Sequence, residues 1–259
     1  MQEIKSVSKT EKDKLLKYFD YLVSWVKKEV ERAGKKGVVV GVSGGIDSAV
    51  VACLSKKAFP DDSMGVSISL NNFSKKQNFV NEVASLSTIK IYNFSFTDSI
   101  NDIRQKIDSM VSLKHNELAI ANMKPRMRML ILYYIAQKFD YLVLGTDNEV
   151  ELYIGYFTKY GDGGVDLLPL ANLNKNEVRK MALSLGYSLE IINQNPSADL
   201  FSNQTDEKEI GLDYDSIDSY LRGDKKNLKP YQVNKIEDLH NNTEHKRKMP
   251  PVPSLKYKK

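Results

Sequence analysis

The chain has almost nothing from which to build a disulfide framework or a zinc cluster: its 259 residues include one cysteine, Cys53, and three histidines, His115, His240 and His245. One thiol excludes an internal disulfide, and so few soft ligands leave oxygen as the donor for any metal. No apolar run reaches the roughly 18 residues that a membrane helix needs. The opening MQEIKSVSKTEKDK lacks the hydrophobic stretch of a secretion signal. The expectation is a cytoplasmic protein with no membrane partner. A basic surface for polynucleotides is missing too. Six cations and no acid lie in residues 246–259, and setting those six aside takes the net charge from +5 to −1. Residues 246–259 therefore read as a basic tail, and no nucleic acid is expected as partner. No linker or internal repeat divides the sequence, so residues 1–259 are read as one domain.

What is present is an alternation of short β-branched runs with helical periods. Leu15, Leu16, Phe19, Leu22, Val23, Val26 and Val30 recur at three-to-four spacing, predicting an amphipathic helix that Gly34 can end. Val38, Val39, Val40 and Val42 have the composition of a strand buried on both faces. Further strands are expected at residues 64–70, 89–94 and 141–144. Helices are expected at residues 48–58 and 74–86, with two more within residues 98–138, where Pro125 should mark a start or a break. This order implies an α/β fold: a doubly wound, mostly parallel sheet with helices on both faces, Rossmann-like in layout. Gly155, Gly161, Gly163 and Gly164 suggest a loop at the carboxyl end of the last strand, where open α/β sheets bind ligands. Asn174 and Glu177 have the spacing of a capping box for a helix ending near Gly186. Residues 193–213 are polar and aperiodic and read as a mobile loop, with short helices after it at residues 215–221 and 231–239. Cys53 falls inside the helix at residues 48–58, where a small apolar residue is expected rather than a nucleophile.

The segment GVSGGIDSAV, residues 41–50, joins the first strand to its helix. Its glycines and serines let backbone amides approach an anion, and a helix N-terminus adds partial positive charge. A Gly-Lys-Ser/Thr ending and a GxGxxG pattern are both absent; an aspartate, Asp47, stands there instead. A carboxylate beside a triphosphate is repulsive unless a divalent cation bridges them, and magnesium is the hard ion that both groups share. The plainer alternative is a strand-to-helix turn capped by Ser43 or Asp47.

SGGIDS after a strand resembles the phosphate loop of the ATP-pyrophosphatase superfamily. Further segments, NMKPRMRM at 122–129, GTDNEVELYIGYFTKYGDGGVDLLPL at 145–170, NPSADL at 195–200, GLDYDSIDSYL at 211–221 and TEHKRKMP at 243–250, are similar to ammonia-dependent NAD synthetases in the same order. The resemblance implies that Gly41, Val42, Ser43, Gly44, Gly45, Ile46, Asp47 and Ser48 cradle ATP, with Thr146, Lys175 and Ser197 also contacting it. It implies Asp47 and Glu151 as magnesium ligands, with Asp162 for a second ion, and Asp47 and Lys175 as the catalytic pair. Glu149 is a rival to Glu151 two residues away. Arg126, Lys159, Asp166, His245 and Lys246 correspond to residues holding deamido-NAD, with Arg128 a competitor for the role of Arg126. The implied reaction is adenylylation of the nicotinate carboxylate by ATP, then displacement of AMP by ammonia. A homodimer is implied as well, for which the helix bearing Tyr21 and Trp25 is one candidate face and packing within its own subunit the alternative. The rivals are a tRNA-modifying relative, disfavoured by the lone cysteine and near-neutral body, and a nucleotide sensor without turnover, disfavoured by the intact Asp47 and Glu151.

Overall fold

The valine run forms strand β1, Gly37–Gly41, and its alternation divides the core. Val38 and Val40 face one apolar cluster and Val39 the other, all three fully buried. The computed structural model describes residues 4–70, 77–111, 116–195 and 205–254. Along the chain, α1 (Lys9–Arg32) precedes β1 and α2 (Ile46–Ala58) follows it; β2 (Ser63–Ser69), α3 (Gln77–Ser87), β3 (Ile91–Ser95), α4 (Thr97–Met110), α5 (Glu117–Phe139) and β4 (Tyr141–Leu144) complete the sheet. The four strands are parallel in the order β3-β2-β1-β4, with α1, α2, α3 and α7 (Lys175–Leu185) on one face and α4 and α5 on the other. The doubly wound layout expected from the sequence is the one found. Each fully buried valine or leucine contributes roughly 1.5–3 kcal/mol relative to an exposed one.

The chain winds outward from β1 to β3 and then returns to place β4 on the other side of β1. Between β1 and β4 the winding reverses, so the segments leaving their carboxyl ends diverge and open a crevice. Residues 41–48 leave one end, and residues 145–149, leading into α6 (Glu149–Ile154), leave the other.

The remaining helices are α8 (Leu189–Ile192), α9 (Asp206–Ile210), α10 (Tyr214–Leu221), α11 (Pro230–Asn242) and α12 (Glu244–Arg247). Of these, α9, α10 and α11 build with α6 a smaller cluster around Val150, Ile154, Ile210, Tyr214, Ile217 and Ile236, beside the crevice, whereas α8 packs Ile191 and Ile192 into the main core.

Two expectations are corrected. Pro125 neither starts nor breaks a helix: α5 runs through it. A proline inside a helix costs about 3 kcal/mol in isolation. Here it is buried against the turn at Gly161, and that packing offsets the lost amide bond. The stretch 193–213, read as one loop, contains α9; residues 196–204 lie outside those described. Cys53 lies in α2 as expected, packed against the core with its Sγ 3.1 Å from the Tyr187 hydroxyl. Trp25 packs against the same core, whereas Tyr21 is exposed.

Gly155 ends α6 in the left-handed region, φ 67°, and a Cβ there would meet the Thr243 side chain at 2.3 Å. Gly155→Ala combines backbone strain with a steric clash and should cost about 2 kcal/mol or more, a fall in Tm of roughly 5 °C or more. An unchanged melting curve would contradict this tight seating of Thr243 on the end of α6.

Candidate active site

The turn after β1 is knitted by its own serines. The Gly45 amide donates to Ser43 Oγ at 3.2 Å, the Ser48 hydroxyl donates to the Gly45 carbonyl at 2.8 Å, and the Ser43 amide donates to Ser48 Oγ at 3.2 Å. Gly44 takes φ 78°, which turns the chain sharply. Gly45 is the N-cap of α2, so no side chain at that position caps the helix, and among the described residues none accepts from its first amides. The plainer reading, a turn capped by Ser43 or Asp47, is thus not what the structure adopts: the first amides of a 13-residue helix remain available to an anion at the crevice.

Asp47, on the first turn of α2, points its two oxygens at different partners. Oδ1 accepts from Asn148 Nδ2 at 3.1 Å and Oδ2 from Lys175 Nζ at 2.6 Å. Two capping boxes place those partners. Asn148 and Glu151 cap α6 reciprocally, each backbone amide donating to the other's side-chain oxygen at 3.1 Å. Glu151 Oε2 is thereby fixed, and Oε1 accepts from Lys175 Nζ at 3.2 Å and from the Tyr214 hydroxyl at 3.3 Å. The Asn174–Glu177 box opens α7 and sets Lys175 at its first position. Hence Asp47, Glu151 and Lys175 converge, and Lys175 is only 4% exposed. Glu149, the rival acid, does not join them; its amide donates to the Leu173 carbonyl.

Burial pushes the Glu151 carboxyl up to about 7, with Lys175 pulling it down and Asp47 pushing it further up. The same burial depresses Lys175, but Asp47 and Glu151 outweigh it and hold the ammonium above its ordinary range. Asp147, 5% exposed, sits in this negative field, and its Oδ2 has no hydrogen-bond partner among the described residues. Desolvation first, then Asp162, Glu151 and Asp47, raise its carboxyl well above the usual carboxylate range. Asp162 accepts from the Thr158 amide at 2.8 Å. Thr146 follows β4, half-buried at the crevice, while Ser197 lies outside the described residues.

The residues expected to hold a second nucleotide form a chain of contacts. Arg126 Nε donates to the Lys159 carbonyl at 3.3 Å, and the Lys159 ammonium donates to the His245 carbonyl. Lys246 is tied more firmly than a substrate ligand needs to be, donating to the carbonyls of Gly155 at 2.7 Å and Phe157 at 2.8 Å. Asp166 accepts from the Val143 amide at 2.7 Å and the Tyr133 hydroxyl at 3.0 Å, which ties it to the sheet. Arg128 Nε is turned to the Ile68 carbonyl, whereas Arg126 is exposed.

A family model described as NAD synthase matches residues 4–250. The chain belongs to the NAD synthase family. The NH(3)-dependent NAD(+) synthetase of Mycoplasmopsis pulmonis is 48% identical over 91% of this chain and 90% of its own. The solved structure of NMN synthetase from Francisella tularensis superimposes with a TM-score of 0.86 at 33% identity, covering 93% of this chain and 99% of that one. The NH3-dependent NAD synthetase of Campylobacter jejuni, 22% identical with a TM-score of 0.78, shares the fold. The NAD synthase fold thus supplies the sheet, and the crevice between β1 and β4 carries this chain's charged cluster.

Asn148 and Tyr214 were missed in the sequence, although NEVE at 148–151 has the same capping spacing as NKNE at 174–177. Tyr214 had no local signal; only the fold brings α10 under Lys175, with the Tyr214 ring 5.2 Å from its ammonium.

Next to Lys175, Asn176 Nδ2 donates to Asp215 at 2.9 Å and to Asp218 at 3.4 Å. Burial pushes Asp218 up to about 7, Arg222 pulling against it. A folded-state value above the unfolded one means that its contribution is favourable below about pH 4 and is lost as pH rises through 7. Asp218→Asn removes that loss. The Tm difference, variant minus wild type, should climb by a few degrees between pH 4 and pH 8, on the order of 2 kcal/mol. A difference that stays flat with pH would contradict the assignment.

Proposed function

We propose that this chain amidates deamido-NAD with ammonia at the expense of ATP, giving NAD, AMP and pyrophosphate through an adenylylated nicotinate carboxylate. The observation that carries the reading is the convergence of Asp47 and Glu151 on one cation beside an open helix N-terminus. Membership of the NAD synthase family and the named activity of the Mycoplasmopsis pulmonis relative support it. The tRNA-modifying and sensor alternatives have no comparable support.

Magnesium fits this donor set. Two fixed carboxylate oxygens already hold a positive charge, and among the described residues no third acid or imidazole completes a cage, which leaves positions for phosphate and water. When bound by Asp47 and Glu151, the ion would supply charge neutralisation on the phosphate oxygens. The residues do the rest. Amides of residues 41–48 and the start of α2 receive the triphosphate, and Thr146 and Ser197 complete its contacts. Lys175 offsets negative charge as pyrophosphate leaves. Arg126, Lys159 and His245 orient the dinucleotide so that its carboxylate meets the α-phosphorus in line, with Lys246 and Asp166 fixing the backbone around them. Ammonia then attacks the acyl carbon and AMP departs. Asp162 is retained as the ligand of a second ion.

The proposal extends to residues 1–259 as one synthetase domain working in the cytoplasm, with residues 246–259 a basic tail. No helix among the described residues is long and apolar enough to cross a membrane. It also includes a homodimer. With Trp25 packed against its own core, the better face is the exposed apolar stripe of Ile103, Ile107 and Met110 on α4 with Leu130 and Tyr134 on α5, the helix that carries Arg126. Leu130→Asp with Tyr134→Asp should convert a dimer to a monomer in analytical ultracentrifugation; a wild-type monomer, or an unaffected dimer, would contradict this face.

The Francisella tularensis structure favours a second reading, in which nicotinate mononucleotide is the acid amidated. One assay separates them: purified chain with ATP, magnesium and ammonium, given either acid, followed by AMP release and product identity. Deamido-NAD should be preferred about tenfold or more in kcat/KM, and Asp47→Asn should lower turnover by roughly 10²–10³. A reversed preference establishes the mononucleotide reading, and full activity of Asp47→Asn overturns both.

A further inference from the structure

The Asp47–Glu151 pair is claimed by two cations. The Lys175 ammonium sits 2.6 Å from Asp47 Oδ2 and 3.2 Å from Glu151 Oε1. A magnesium ion reaching the same oxygens at about 2.0–2.1 Å would lie against that ammonium, two positive charges in one seat. The carboxylates have little freedom to make room. Asn148 holds the other oxygen of each, and the Tyr214 hydroxyl adds a bond to Glu151. The lysine is the movable member, a four-carbon stem rooted in the first turn of α7.

We propose that Lys175 and the divalent cation are alternative occupants of the Asp47–Glu151 pair, and that a triphosphate decides between them by offering the ammonium other anionic oxygens. The exchange keeps a positive charge between the two half-buried carboxylates in either arrangement, since an unpaired buried carboxylate is expensive. It makes metal and nucleotide bind cooperatively and keeps the pair from capturing free divalent ions. The proposal rests on the assignment of Asp47 and Glu151 as the metal ligands.

Manganese serves as the probe, titrated into the full chain without nucleotide and followed by its electron paramagnetic resonance signal. Lys175→Gln should bind it about tenfold or more tighter than wild type, while Lys175→Arg, which keeps the charge, should bind as weakly as wild type. Should Lys175→Gln not fold, the wild type carries the test: saturating manganese should raise acetylation of Lys175 severalfold, read by mass spectrometry, because the displaced amine reaches solvent. Equal manganese affinity in wild type and Lys175→Gln, or a Lys175 equally protected with and without the ion, overturns the exchange alone. If manganese bound with an ATP analogue is indifferent to Asp47→Asn, the ligand assignment falls and the exchange with it.

Discussion

Two carboxylates brought together away from water repel one another and forfeit hydration, so they require a cation within bonding reach. That requirement governs the cleft of this protein. Asp47 comes from the helix after the first strand and Glu151 from the helix after the last, and Lys175 bridges them from a third. Tyr214, below the ammonium, brings the smaller helical cluster into the same arrangement. Three elements distant in sequence are therefore tied by one charge, at the point where the strand order reverses and a parallel sheet presents a crevice.

The surroundings explain how such a cluster is positioned with little slack. Asn148 caps α6 with one end of its amide and holds Asp47 with the other, so the start of a six-residue helix and the orientation of a carboxylate depend on one side chain. The parallel arrangement at Asn174 sets the root of Lys175. Asp147 lies buried in the same negative field, and burial together with the acids around it holds its carboxyl well above the usual carboxylate range. An acidic crevice beside an open helix N-terminus suits a polyanion only when metal accompanies it.

Much of this was legible in the residues. Strand β4 covers the stretch read from Tyr141 to Leu144, and the Asn174–Glu177 box opens its helix as its spacing predicted. Both signals are local, a β-branched run and a three-residue cap, and local physics sufficed. Pro125 misled because its penalty is local while its compensation, burial against the Gly161 turn, is not. The site followed the same division. Asp47 and Glu151 could be paired from the motif they resemble, but that Lys246 is held by the Gly155 and Phe157 carbonyls, or that Tyr214 lies beneath Lys175, depends on how separate helices meet. No window of sequence contains that information.

The central claim is that Asp47 and Glu151 together grip the cation that accompanies a triphosphate. A crystal structure of the chain with manganese and a non-hydrolysable ATP analogue tests it most directly, through the anomalous signal of the metal. The account predicts a peak bonded to one oxygen of each carboxylate and to phosphate oxygens, with the Lys175 ammonium moved onto the phosphates. A peak that touches neither carboxylate, with Lys175 still between them, would contradict it.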